Sequence, residues 1–239
     1  MCTLTYLLND KGYELFFNRD EQHSRLLAIA TRLTSTTDAI SPIEGQGKGT
    51  WIAVNKQGRS FALLNNYQAP ISNKQNIVSR GKLILSLLQS DGDIFTQLQA
   101  MNLAVYQPFQ LCVFPESLTI TNNNVICVMW NGNNLCHAEI DLPITSSSID
   151  FIEVSQKRRQ KFNRLVDTNT PQSNQLKAYH FSTEIIGKHS VNMQREDAKT
   201  VSISHISVNK EITFEYFDNV QMEDHTIICA KETQLMLTS

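Results

Sequence analysis

Cys2 and the run Asn18-Arg19-Asp20-Glu21 carry the richest chemistry in this chain. Excision of Met1 makes Cys2 the first residue, with a thiol and a free α-amine on one carbon. Such an amine has a pKa of about 7.7–8.0, so it accepts a proton near neutral pH. Nucleophile and general base then share one residue, the logic of N-terminal nucleophile chemistry. A free thiol is only about 3% thiolate at pH 7. Bringing its pKa to about 7 takes ~2 kcal/mol of differential stabilisation. A guanidinium held close and partly shielded from water supplies that much. Arg19 is the candidate to stabilise the thiolate, and Asp20 to orient the amine or to hold Arg19. Taken singly, a Met-Cys start is weak and a charged quartet at a strand end is an ordinary solvated turn. Their convergence favours a site.

The convergence depends on a hairpin. Thr3–Leu8 and Tyr13–Phe17 are β-rich runs, and Asn9-Asp10-Lys11-Gly12 is a turn. A two-residue loop at Asp10-Lys11 sets Arg19 opposite Cys2. A three-residue loop with Gly12 left-handed and a bulge sets Asp20 there instead. Directly opposed Cβ atoms lie about 4.5–5.5 Å apart, so both registers bring the quartet alongside the thiol.

Further along, Thr50–Asn55 and Ser60–Leu64 form a second hairpin pattern. Residues 79–89 and 93–103 read as amphipathic helices. Gln110–Phe114 is a strand, Ser117–Thr121 and Val125–Trp130 a hairpin, and Leu135–Ile140 its continuation. Thr145–Ser148 reads as a loop. Ser155–Val166 and Gln175–Ile186 are helical, with Pro171 between them. Val201–Ser207, Glu211–Phe217 and His225–Ala230 are late strands. This order lacks a regular βαβ alternation and predicts an α+β fold of antiparallel sheets with helices layered outside.

These residues resemble the NRDE family, also called the transport and Golgi organisation family. Its members start Met-Cys and carry Asn-Arg-Asp-Glu after the first hairpin. Gly49-Thr50-Trp51-Ile52-Ala53-Val54-Asn55, Gly58-Arg59, Ala62-Leu63-Leu64-Asn65-Asn66-Tyr67 and Ser79-Arg80-Gly81-Lys82-Leu83 extend the likeness, which thins after about residue 90. The family is similar in outline to N-terminal nucleophile hydrolases such as penicillin V acylases and bile-salt hydrolases. The resemblance implies a single αββα sandwich over residues 1–239. It also implies a hydrolase of a linear carbon–nitrogen amide bond, with Cys2, Arg19 and Asp20 catalytic. Asn66 is the best match for an oxyanion Asn and Asn65 its close rival, since an amide N–H is the right group at a developing oxyanion. Asn18, Glu21 and Trp51 are candidate binding residues.

Two departures qualify this. Family members carry a Ser-Asn pair before a Trp-Pro-Lys-Val block, where this chain reads Ser146-Ser147-Ser148 with no Asn. They also carry a late Gly-Thr-Arg-Ser-Ser-Thr, where Ala198-Lys199-Thr200-Val201 offers only Lys199 as a basic substitute. The second reading is therefore a small-molecule binding or trafficking protein, since family members are connected with Golgi organisation, lipid balance and haem handling.

The balance of the chain bounds these readings. It has 239 residues, 41% of them hydrophobic and 18% charged, and a net charge of −2. Nothing there forms an electrostatic footprint for nucleic acid. No apolar run is long enough for an integral membrane segment. No leader pattern opens the chain, so a cytoplasmic location is expected. The five cysteines sit mostly in apolar settings and read as buried reduced thiols. Cys136-His137 reads as a packed thiol beside an exposed imidazole rather than half a metal site. His189 and His205 could each ligate haem iron singly, but satisfied or exposed imidazoles are the favoured reading. No metal and no cofactor are expected. Lys157-Arg158-Arg159, Lys161 and Arg164 read as the solvated face of a helix. The expected partner is a small-molecule ligand or substrate.

Overall fold

A computed structural model describes residues 1–26, 32–36, 38–44, 48–71, 76–90, 92–183, 187–220 and 222–231. The elements run in chain order as β1 Cys2–Asn9, β2 Gly12–Gln22, α1 His23–Leu26, β3 Arg32–Ser35, β4 Ala39–Ile43, β5 Ile52–Asn55 and β6 Ser60–Asn65. Then come α2 Gly81–Leu87, α3 Ile94–Ala100, β7 Phe109–Phe114, β8 Ile126–Trp130, β9 Leu135–His137 and β10 Ile144–Ser146. The last are α4 Phe151–Leu165, α5 Ser173–His180, β11 Ala198–Val208, β12 Glu211–Asp218 and β13 Glu223–Ala230.

The strands make two antiparallel sheets, one six-stranded in the order β10-β1-β2-β11-β12-β13 and one seven-stranded in the order β3 to β9. Side chains alternate between the two faces of a strand, so each sheet buries two surfaces. Leu4, Leu15, Phe17, Ile52, Val54, Ala62 and Leu64 meet between the sheets. Phe61, Leu63 and Val113 turn outward onto Leu83, Ile84 and Leu87 of α2 and onto Ile94 and Leu98 of α3. Phe16 of the six-stranded sheet packs outward on Phe162 of α4 and on Leu176 and Tyr179 of α5. The result is the expected four-layer αββα sandwich.

Several expected boundaries shift for identifiable reasons. The first helix is confined to Gly81–Leu87. Asp93 caps α3, its side chain accepting a bond from the Thr96 amide, and the element ends at Ala100. Ser117–Thr121 is not a strand; its hydroxyls and carbonyls bond locally to Asn122 and to each other. Conversely Thr145–Ser148, read as a loop, overlaps β10, which pairs with the N-terminal strand. β3 and β4 are additional strands, and in β4 Pro42 interrupts the strand pattern. The last residues of the expected Gln175–Ile186 helix, 184–186, lie outside the described residues.

The helix α4 also departs from its expected solvated face. Arg158 is fully buried and Lys161 nearly so, while Arg159 stays exposed and pairs with Asp141. Cys136 is exposed rather than packed, and His137 stacks on Phe95 with ring centroids 4.2 Å apart.

Candidate functional site

The β1–β2 turn is the two-residue one, so Cys2 lies opposite Arg19. On its other side Cys2 pairs with Ser146 of β10. Ser146 donates to the Asn65 carbonyl at 2.7 Å, tying the end of β6 to the N-terminal strand. Cys2, Arg19 and Asn65 thereby come together at one end of the sandwich. They line a cleft of about 590 Å³.

Period-two alternation puts Arg19 on the Cys2 side of the sheet and Asp20 on the opposite, helix-facing side. The two candidates therefore have different surroundings. Arg19 bonds Glu21 at 3.3 Å and Glu44 at 3.2 Å, and its guanidinium lies 3.9 Å above the Trp51 ring. Two carboxylates and an aromatic face hold the cation in the cleft wall. Asp20 turns away from Arg19, accepting from Arg158 Nη2 at 3.3 Å and from the Thr200 hydroxyl at 2.6 Å. Its backbone faces the N-terminus instead. The Asp20 amide donates to the Met1 carbonyl at 3.0 Å, and the Met1 ammonium donates to the Asp20 carbonyl at 3.4 Å.

With Met1 in place the thiol is not activated. Burial pushes the Cys2 thiol up. The N-terminal ammonium opposes that, the Asp20 charge adds to it, and the Asp20 backbone hydrogen bond and the Arg19 charge oppose it.

The remaining predicted residues separate. Trp51 lines the cleft, and its indole N–H has no hydrogen-bond partner among the described residues. Asn65 lines the cleft and donates to the Tyr67 hydroxyl at 2.6 Å. Asn66 sits outside the cleft lining; its side chain spans the Trp130 carbonyl and the Gln68 amide. Asn18 is fully buried behind the sheet and does not line the cleft. Its amide donates to the His180 and Val191 carbonyls, both at 2.9 Å, and its oxygen pairs with His180 Nδ1 at 2.6 Å. Both donors of Asn18 being engaged, its oxygen can only accept, so the His180 proton sits on Nδ1. Nε2 then accepts from the Thr5 hydroxyl at 2.7 Å. Burial depresses the His180 pKa well below the usual histidine range, so this ring is neutral.

Lys199 bonds the Asn219 carbonyl and does not replace the missing late arginine. The second cation at Asp20 is Arg158, from a helix read as solvated. Glu44 was missed because β4, which delivers it, was missed. Tyr67, beside Asn65-Asn66 in the sequence, also lines the cleft. Gly49 and Gly81 account for two other motifs. A Cβ on Gly49 would lie 2.9 Å from Gly81 backbone, and one on Gly81 would lie 2.9 Å from the Thr50 nitrogen. Trp51 and Arg80, the residues that flank this close approach, both line the cleft. Both ring nitrogens of His205 are taken, by Glu215 at 2.6 Å and Glu14 at 2.8 Å. Among the described residues no group of three metal-ligating side chains converges. Among them, too, no helix is long and apolar enough to cross a membrane.

Comparison with known proteins fits this geometry. The chain is similar to the conjugated bile acid hydrolase of Clostridium perfringens, solved as a C2A mutant, with a TM-score of 0.50 at 12% identity over 98% of this chain and 97% of that one. At that identity the likeness is one of fold. Transport and Golgi organization protein 2 homologs from Bos taurus and Homo sapiens are 31% and 28% identical over 119 residues. Those matches take in 48% of this chain and 42% of each relative, so the match spans less than half the length of these proteins. The family model for transport and Golgi organisation 2 matches residues 1–236, and the chain belongs to that family.

Proposed function

We propose that this protein is an N-terminal-cysteine hydrolase acting on a linear carbon–nitrogen amide bond. The observation that carries the reading is the placement of Cys2 directly opposite Arg19 in the lining of a cleft. Loss of Met1 frees the Cys2 amine and unburies the thiol. The amine takes the thiol proton, and the sulfur adds to the substrate carbonyl. The carbon–nitrogen bond then breaks, and the amine passes the proton to the departing nitrogen. Water, deprotonated by the same amine, hydrolyses the thioester to a carboxylic acid and regenerates the thiol. Asn65, at the cleft, is better placed than Asn66 to donate to the oxyanion.

One observation favours a binding or trafficking role instead. Arg19 is neutralised by Glu21 and Glu44, leaving less of its charge for a thiolate. The same cleft would then hold a lipid or haem by contact with its walls rather than by charge.

A bulky residue inserted between Met1 and Cys2 blocks processing and separates the two readings. The amidase reading expects turnover of N-acyl amides by protein that intact mass shows to start at Cys2, and none by the blocked form. Turnover that persists with the amine blocked refutes the mechanism. Equal ligand binding by both forms without any turnover selects the binding role.

A further inference from the structure

Met1 forms part of the cleft wall. The residue is 8% exposed and packs with Met193 and Ala198. Its sulfur lies 2.8 Å from the Ser147 hydroxyl. Met1, Cys2, Met193 and Ala198 line one cleft. The Met1 carbonyl carbon is bonded to the Cys2 nitrogen, so it necessarily lies near the Cys2 sulfur. Its oxygen accepts the Asp20 amide at 3.0 Å. The methionyl group therefore has the parts of an acyl group presented to the thiol: a carbonyl carbon near the sulfur, an N–H on the oxygen, and a chain packed in an apolar niche.

Removal of Met1 leaves that arrangement vacant. The Asp20 amide loses its acceptor, and a buried donor without a partner favours any acceptor that restores the bond. The Met193–Ala198 niche loses its occupant, and such a gap gains from refilling by apolar atoms. We propose that the space held by the Met1 side chain is the acyl pocket, with the Asp20 amide donating to the acyl oxygen. The substrate class is then an N-acyl amide whose acyl chain is short, unbranched and uncharged. This rests on the hydrolase reading above and narrows it.

The experiment uses full-length protein starting at Cys2, verified by intact mass. Straight-chain N-acyl p-nitroanilides of rising chain length are compared by kcat/KM. Each methylene should raise kcat/KM about fourfold until the chain matches the length of the Met side chain, and longer or branched chains should fall off. Met193→Ala deepens the niche and should move the optimum to longer chains; Ala198→Leu fills it and should move the optimum to shorter ones. Covalent labelling of Cys2 by straight-chain chloromethyl ketones gives a second readout that needs no hydrolysis. Turnover that ignores chain length, or an optimum that neither variant moves, overturns the pocket and leaves the hydrolase reading standing. Chain-selective labelling without hydrolysis supports the pocket and removes the hydrolase reading. Neither turnover nor chain-selective labelling overturns both.

Discussion

The two helix layers of this sandwich are held by different forces. Beneath α2 and α3 the seven-stranded sheet presents Phe61, Leu63, Leu111 and Val128, and the contact is apolar. Beneath α4 and α5 the six-stranded sheet presents Thr3, Thr5, Asn18, Asp20 and Thr200 among its apolar residues, all 4% exposed or less. Arg158 reaches into that layer from α4, bonding Thr3, Asp20 and the Ser190 carbonyl. His180 reaches in from α5. Apolar contact tolerates small changes in shape, whereas a buried polar network fails when one member is left unpaired. The polar layer lies directly behind the strand end that carries Cys2 and Arg19. The apolar layer fixes a sheet; the polar one fixes the position of particular backbone atoms, the Asp20 amide among them.

Removing a charge from the polar layer should give the largest effect. Arg158→Ala strands a fully buried Asp20 and is expected to cost about 3–5 kcal/mol in urea unfolding. Replacing both partners, as Arg158→Met with Asp20→Leu, should recover most of that loss, because no unpaired charge remains. If the single variant loses under 1 kcal/mol, this layer is no different in kind from the apolar one.

Acidification probes the same layer less severely. His180 is held neutral by burial, so its folded pKa lies well below the ordinary value of 6.5. The unfolded chain therefore binds the extra proton first. Stability is full above the unfolded pKa and declines as pH falls below it, down to the folded value. Between pH 7 and pH 5 the decline attributable to this ring is at most about 2 kcal/mol. His180→Gln, which does not titrate, should flatten that part of the pH–stability curve. An unchanged slope would show that other groups set it.

The contrast between the layers was only half legible in the sequence. The β1–β2 hairpin was, because Asn9–Gly12 is a turn and its loop length limits the register to two choices. Period-two alternation also separates Arg19 from Asp20, one to each face. The burial of Arg158 was not legible. It depends on a carboxylate 138 positions away in the chain, and a run of basic residues on a helix is usually solvated. β10 was hidden likewise, since a short polar segment becomes a strand only by pairing with Cys2. Glu44 followed a strand disguised by Pro42. The burial of Arg158 and the pairing of β10 are long-range contacts that override a correct local propensity.

The smallest expected effect comes from the apolar layer and completes the comparison. Ile84 is fully buried between α2 and the seven-stranded sheet. Ile84→Val removes one methylene from a site that offers no polar group to strand. Its cost should be about 0.5–1.5 kcal/mol, the lost transfer energy plus a small cavity. No ionisable group takes part, so the cost should be the same at pH 7 and pH 5. The Cys2 end of the molecule belongs to the other sheet, so labelling of the thiol should keep its rate. A cost that grows on acidification, or a change in thiol labelling, would mean that the apolar layer also positions the site and that the division between the layers is false.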